Sequence, residues 1–318
     1  MRIGYLGDGA WARYGLELLH ADPAFSVAFV VPRFHTPDER LVQQATGAGI
    51  DVLRIANVNA AEGLRRLGAY GVDLLVSMSF DQILRTDVLN LCPQGAVNCH
   101  AGALPFYRGR NVLNWVLIND ESEFGVTVHF MDEGIDTGDI ILQRMAPITD
   151  NDTYGTLLDR ATRLCAETLH EGLRHLADGS VRPVPQHTID PVGFYTGGRL
   201  PGDEWIDWRW PSRRIFNFVR AITTPGPCAR TIFDGTDLKV VSAAMIPGAP
   251  DYIGTPGEVV GHNTEGVQVK TGDSTLMLTG LEASTDVELR IGHRLLSPYD
   301  EMVRQALARP FDRNSSVD

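Results

Sequence analysis

Short apolar runs that alternate with helix-forming segments constrain the first half of this chain more than any other feature. Arg2 to Leu6, Phe25 to Val31 and Asp73 to Val76 are β-rich and bounded by Gly, Pro or Asp, so they read as buried strands. Trp11 to His20 and Glu39 to Thr46 lie between them with helix-forming composition. Units of this length imply a Rossmann-like α/β fold, a mostly parallel sheet with helices on both faces. The pattern continues through a strand at Gly95 to Cys99, a helix at Val112 to Ile118, and strands at Gly125 to Met131 and Ile140 to Met145. Asp152 or Thr153 then caps a long helix that ends near Ala177.

The character changes between Gly179 and Pro201, where four prolines and several glycines read as a linker. A helix over Ser212 to Ile222 follows. Beyond it, Ala229 to Phe233, Leu238 to Ala243, Gly257 to Gly261, Gly266 to Thr271 and Ser274 to Gly280 are short strands at close, regular spacing, the sign of a small β-barrel or sandwich, of which an OB-like barrel is the expected form. Asp300 to Ala308 reads as a closing helix and Asn314 to Asp318 as a polar tail. The expectation is therefore two domains, an α/β domain over residues 1–195 and a smaller, mainly β domain over 196–318. A length of 318 residues agrees with it, at roughly 150 residues per domain.

Charge and composition narrow the function classes. The chain carries 28 Lys and Arg against 40 Asp and Glu, a net charge of −12. An acidic chain repels a polyanion unless its basic groups are segregated, so nucleic acid is not an expected partner. No apolar run approaches the ~20 residues of a membrane span. The four cysteines are far apart, with no C-x-x-C pair, and predict neither a zinc site nor a disulfide framework. Met1 to Gly7 reaches a glycine turn too early for a signal peptide, and a cytoplasmic protein without membrane attachment is expected.

Three stretches carry candidate chemistry. Gly7-Asp8-Gly9-Ala10-Trp11-Ala12 formally fits the dinucleotide turn, and a nicotinamide-dependent oxidoreductase is the distant alternative that would rest on it. The second strand, however, ends Val30-Val31-Pro32-Arg33 with no acid to hold a ribose, and Asp8 places a negative charge in a phosphate's path; a structural turn is the expectation. Asn98 and His100, two apart on a strand, project together from its carboxyl end, where open α/β sheets place their ligands. A lone histidine is usually structural, but an amide beside an imidazole suits an oxyanion site. Asp132, Glu133, Asp136 and Asp139 crowd one loop without the spacing of a calcium loop. Four anions this close predict that one pairs with a cation, His100 or Arg110 being the candidates.

Taken together, these residues resemble the 10-formyltetrahydrofolate-dependent formyltransferases. The resemblance rests on Asn98, Cys99 and His100, on Leu104, Pro105, Arg108 and Gly109, and on Asp136, Thr137 and Gly138, which follow in order with 36 residues from His100 to Asp136. It departs at Gly102, where many members have Ser. It implies that an acceptor amine attacks the formyl carbon of 10-formyltetrahydrofolate, with no metal. Asn98 and His100 would donate to the oxyanion, and Asp136 would orient His100 and carry the amine's proton. Gln82, Ile83, Leu84, Arg110, Asp132, Glu133, Gly134 and Ile135 would contact the folate. A cis Leu104–Pro105 bond is expected in the tight turn that aims the Arg108 loop, and a homodimer fits the family.

The acceptor divides the family. The stretch Pro32 to Gln44, where methionyl-tRNA formyltransferases carry a basic insertion, offers only Arg33 and Arg40 against Asp38 and Glu39. The loop Phe106 to Trp115 and the run Arg199 to Trp208 look like the sugar enzymes, including the one acting on UDP-linked aminoarabinose. The expected function is therefore a sugar N-formyltransferase acting on a dTDP- or UDP-linked amino sugar, with methionyl-tRNA formyltransferase as the alternative. Trp115, Tyr195, Arg199 and Trp205 are expected on the nucleotide side, since aromatic faces and guanidinium forks suit bases and diphosphates.

Overall fold

A computed structural model describes residues 1–308, and the tail Asn314 to Asp318 lies outside the described residues. The chain runs β1 Arg2–Gly7, α1 Gly9–Ala21, β2 Ser26–Val31, α2 Glu39–Gly47, β3 Asp51–Val52, α3 Ala61–Gly68, β4 Leu74–Met78, α4 Thr86–Leu89, β5 Ala96–His100 and β6 Arg108–Gly109. Then come α5 Val112–Ile118, β7 Glu123–Phe130, β8 Ile140–Pro147, α6 Tyr154–Ala177 and β9 Tyr195–Thr196. The remainder is α7 Ser212–Ile222, β10 Ala229–Phe233, β11 Thr236–Met245, β12 Val259–Asn263, β13 Gly266–Lys270, β14 Thr275–Ala283 and α8 Pro298–Ala308.

One compact unit comprises residues 1–113, 122–149 and 156–198. Its seven-stranded sheet has the order β3-β2-β1-β4-β5-β7-β8, parallel through β5 and antiparallel at β7 and β8. Alternation along β1 shows why both faces are covered. Tyr5 donates its hydroxyl to Ala12 O of α1, whereas Leu6 joins Phe29, Leu67, Leu75 and Val88 in a core that includes α3 and α4. The parallel strands are buried nearly throughout, as β4 is at all five positions, which is why they read as continuous apolar runs.

The Pro- and Gly-rich stretch expected as a linker is no free connection. Val184 exchanges two 2.9 Å backbone hydrogen bonds with Ile140, residues 186–188 form a 3-10 turn, and β9 pairs in parallel with β6. It forms a strap across the loops that carry the site, and prolines mark its irregular backbone without revealing its contacts.

The other unit takes residues 114–121, 150–155 and 199 onward. Its antiparallel sheet has the order β10-β11-β14-β13-β12. Residues 293–296 join the two edge strands, since Leu296 bridges to Ile232 of β10 and Arg294 to Glu258 beside β12. That closure gives the expected barrel. Among the described residues no helix is long and apolar enough to cross a membrane.

Candidate active site

On β5 the side chains alternate. Cys99 turns toward α6, where its thiol donates to Cys165 O, while Asn98 and His100 share the opposite face at the strand's carboxyl end. The antiparallel neighbour β7 sets His129 directly across from Asn98 and Thr127 across from His100. The β7–β8 loop then returns Asp136 over this end. Asp136 Oδ2 stands 3.5 Å from His100 Nδ1 and accepts from the Gly109 N–H at 2.9 Å; Oδ1 stands 3.5 Å from His129 Nε2. Amide, imidazole and carboxylate therefore converge as the sequence predicts, and of the four acids in the loop it is Asp136 that turns inward. Asp132, Glu133 and Asp139 remain exposed.

Hydrogen bonding decides which ring atoms are available. His100 Nε2 lies 2.7 Å from Tyr107 O, a carbonyl that only accepts, so Nε2 carries a proton. Nδ1 is left facing Asp136. Burial pulls the His100 pKa below its ordinary value, outweighing Asp136 and Tyr107 O, which act upward. Burial pushes the Asp136 carboxyl up, but hydrogen bonding with His129, the charge of His100 and the Gly109 N–H together bring it down to about 2. Burial thus favours the neutral ring, with an Nδ1 lone pair toward Asp136, while the pairing that lowers the Asp136 carboxyl belongs to the protonated rings. That lone pair is a base whose protonated form Asp136 stabilises.

His129 is a site residue that sequence reasoning missed. Its Nδ1 donates to Phe130 O at 2.7 Å, leaving Nε2 3.3 Å from Asn98 Nδ2 and 3.5 Å from Asp136. Nε2 thus faces one side of the Asn98 amide, whose other N–H is left for a ligand. The alternation Val126-Thr127-Val128-His129 was the available signal, since it sets a polar residue on the face shared with Asn98 and His100.

Glycines make room for this arrangement. A Cβ at Gly102 would lie 2.5 Å from His100 Nε2 and 2.7 Å from Tyr107 O, so the departure from Ser is what lets the ring lean on that carbonyl. A Cβ at Gly138 would strike Phe130 O, which explains the glycine two residues after Asp136. Leu104–Pro105 is cis, as expected.

The other candidates are scattered. Leu84 is buried in the core and leaves only its backbone for a ligand, Ile83 is exposed, and the Gln82 amide is engaged inward with Val58 N at 2.9 Å. Arg110 is exposed and pairs with no acid among the described residues, so the pairing considered for it does not form. Asp132 accepts from Gly134 N and Thr137 Oγ1, Glu133 from Thr86 Oγ1, and Gly134 and Ile135 are exposed between them. Trp115, Arg199 and Trp205 meet in one cavity of about 320 Å³ in the second unit, with Trp210, Arg214 and Phe218. Tyr195 is not among them; it lies exposed on β9 beneath the Arg108 guanidinium. The Gly7 turn is structural: a Cβ at Gly7 would lie 2.5 Å from Met78 O, and the buried Asp8 carboxylate accepts from Asp38 N. Among the described residues no three His, Cys, Asp or Glu side chains gather to hold a metal ion.

Comparison with known proteins accords with this geometry. Residues 7–173 match the formyl transferase family and residues 201–291 the formyl transferase C-terminal domain. The chain belongs to the formyltransferase family. It is 36% identical over 244 residues to a methionyl-tRNA formyltransferase of Citrifermentans bemidjiense, covering 77% of this chain and 74% of that one. A second methionyl-tRNA formyltransferase, from Anaeromyxobacter dehalogenans, is 36% identical over 287 residues, 87% and 90% of the two chains. Among solved structures, an N-formyltransferase from Helicobacter canadensis, in complex with folinic acid and dTDP-3-aminofucose, shares the fold with a TM-score of 0.66 at 21% identity, covering 87% of this chain and 99% of that one. The enzyme transfers formyl groups.

Two outcomes follow from the geometry. Gly102→Ser should displace the His100 ring and lower kcat by up to about 10²-fold with the fold retained, measured by steady-state kinetics and circular dichroism; an unchanged kcat would show that the contact with Tyr107 O is dispensable. With burial lowering the His100 pKa, a site that uses the neutral ring should lose kcat only as pH drops below the ordinary histidine value of about 6.5. An acidic limb centred above 7 would contradict this.

Proposed function

We propose that Asn98, His100 and Asp136 carry formyl transfer from 10-formyltetrahydrofolate to a primary amine. The observation that carries this reading is the approach of His100 Nδ1 and His129 Nε2 to one buried carboxylate, each at 3.5 Å, with the Asn98 amide beside them. The amine nitrogen attacks the formyl carbon, and the carbonyl oxygen becomes an oxyanion that takes the second N–H of Asn98. His100 Nδ1 takes the proton that the attacking nitrogen loses, and Asp136 stabilises the imidazolium. Collapse of the intermediate breaks the bond to the folate nitrogen, and His100 returns the proton to that leaving group. This modifies the role expected for His100: its Nε2–H is committed to Tyr107 O, so it serves as base and acid rather than as an oxyanion donor. The folate would be contacted by Arg110 and by the exposed backbone of residues 82–84 and 132–135.

For the acceptor we favour a nucleotide-linked amino sugar, and charge is the reason. Residues 199–318 hold 13 Lys and Arg against 16 Asp and Glu. In the stretch where a tRNA enzyme is basic, Asp38 lies 2.9 Å from Arg13 and Arg33 stands 3.9 Å from Asp8, so little positive field is left for a phosphate backbone. The cavity at Trp115, Arg199 and Trp205 suits a nucleotide. Its indoles offer faces for a base, and the Arg214 guanidinium, held 4.2 Å over the Trp210 ring, suits a phosphate. Methionyl-tRNA is the second reading, favoured by the names of the relatives that share 36% identity. On sequence relationship that acceptor stands ahead.

His100→Ala and Asp136→Asn should each lower kcat by about 10²-fold or more while the protein stays folded; near-normal turnover in either would defeat the mechanism. A panel of dTDP-, UDP- and GDP-linked 3- and 4-amino sugars, together with methionyl-tRNA, should be offered with 10-formyltetrahydrofolate and read by mass. Formyl gain on an amino sugar supports the first acceptor. Formylation of methionyl-tRNA, with binding that weakens steeply as salt rises, would overturn it in favour of the second.

A further inference from the structure

Asp136 has φ of 57°, a left-handed conformation that a non-glycine residue adopts only when its surroundings impose it. Residues 132–135 are exposed and restrain the turn only from its solvent side, through Asp132, which accepts from Gly134 N and Thr137 Oγ1. The buried restraint comes from the strap. Gln186, 3% exposed, donates both amide hydrogens to the carbonyls on either side of the turn, Asp136 O at 2.9 Å and Gly138 O at 2.8 Å. Its Oε1 accepts twice from the buried Arg108 guanidinium, from Nε at 3.0 Å and Nη2 at 2.7 Å. Arg108 begins the segment whose Gly109 N–H bonds the Asp136 carboxylate, and Tyr107 O just before it holds His100. The amide is fully used, and every bond ends on one of the two loops that meet at the reacting centre.

We propose that Gln186 is the positioning residue of this enzyme: it locks the loop of Asp136 to the loop of Arg108 and so holds the carboxylate against His100. Neither charge nor nucleophilicity is asked of it, since an amide with two donors and an acceptor is what two carbonyls and a guanidinium require. The rest of the strap serves the same end. Arg108 N donates to Phe194 O and Arg110 N to Thr196 O, so β9 braces the loop from the other side. A loosened Asp136 would still be present but misaimed, and a misplacement of about 1 Å can cost ~10²-fold in rate.

The inference rests on the reading of Asp136 and His100 given above, and the test separates the two. Gln186→Met removes all four hydrogen bonds; Gln186→Glu keeps an acceptor for Arg108 but loses the donors to both carbonyls. Each is made in the full chain beside Asp136→Asn. Turnover is measured with the acceptor that gains a formyl group in the panel, and the ¹⁵N titration of the His100 ring is followed by NMR without any acceptor. The titratable groups facing Asp136 are His100 on β5 and His129 on β7, and a change in either would show in the same titration. Expected are folded variants with kcat lowered about 10- to 10²-fold, KM for 10-formyltetrahydrofolate within about twofold, and, in Gln186→Met, a His100 titration moved to lower pH as in Asp136→Asn. Wild-type kcat and titration in a folded variant overturn the inference, as does a loss of folding in both variants, which would make Gln186 a support of the fold alone. A fully active Asp136→Asn would instead remove the reading beneath it.

Discussion

A single carboxylate organises this site. Asp136 is charged although largely buried, and an ion in that position is stable only if its lone pairs are met. The Gly109 N–H in the loop that leads into α5 meets one of them, and the rings of His100 and His129 stand 3.5 Å away at the ends of β5 and β7, each placed to pair with the carboxylate once protonated. Each then constrains its own surroundings. His100 needs Tyr107 O for its second nitrogen and therefore needs Gly102 without a side chain; Gly109, with φ of 97°, packs so tightly on Thr196 O that a Cβ would lie 2.5 Å from it. The irregular loops around the site are in this sense consequences of keeping one anion satisfied.

Much of this was legible in the residues. The parallel strands announce themselves because they are buried on both faces, and α7 spans Ser212–Ile222, as its sequence predicts. Asn98, His100 and Asp136 were visible because period-two geometry and crowded like charges are local arguments. What escaped is long-range. α3 carries Gly63 in its interior, which weakens its helical signal, yet a Cβ there would meet Asn57 O at 2.5 Å, so packing against the preceding turn decides the residue. The strap looked like a linker because Pro and Gly report backbone irregularity; that Gln186 reaches across 78 residues to Arg108 leaves no local trace. His129 hid inside an ordinary strand pattern, its role fixed only by the register of β7 on β5.

The candidate groups divide along the chain. The groups that suit proton transfer all lie in the first unit, while the second contributes indoles and guanidiniums to its own cavity. Family membership follows from the whole chain, but the acceptor does not, since relatives named for tRNA and neighbours holding a nucleotide sugar share one fold. Charge is the property that distinguishes those acceptors physically. A polyanionic stem demands a cationic surface, whereas a small nucleotide needs only a stacked ring and one or two guanidiniums.

The central claim is that the one-carbon unit is received where the Asn98 amide and His100 Nδ1 face each other beside Asp136. A crystal structure with 5-formyltetrahydrofolate, a stable isomer of the donor, tests it most directly. The formyl oxygen is expected within about 3.5 Å of Asn98 Nδ2 and its carbon on the Asp136 side of the His100 ring. A formyl group bound elsewhere on the unit, or an Asp136 carboxylate turned away from both histidines in the complex, would contradict it.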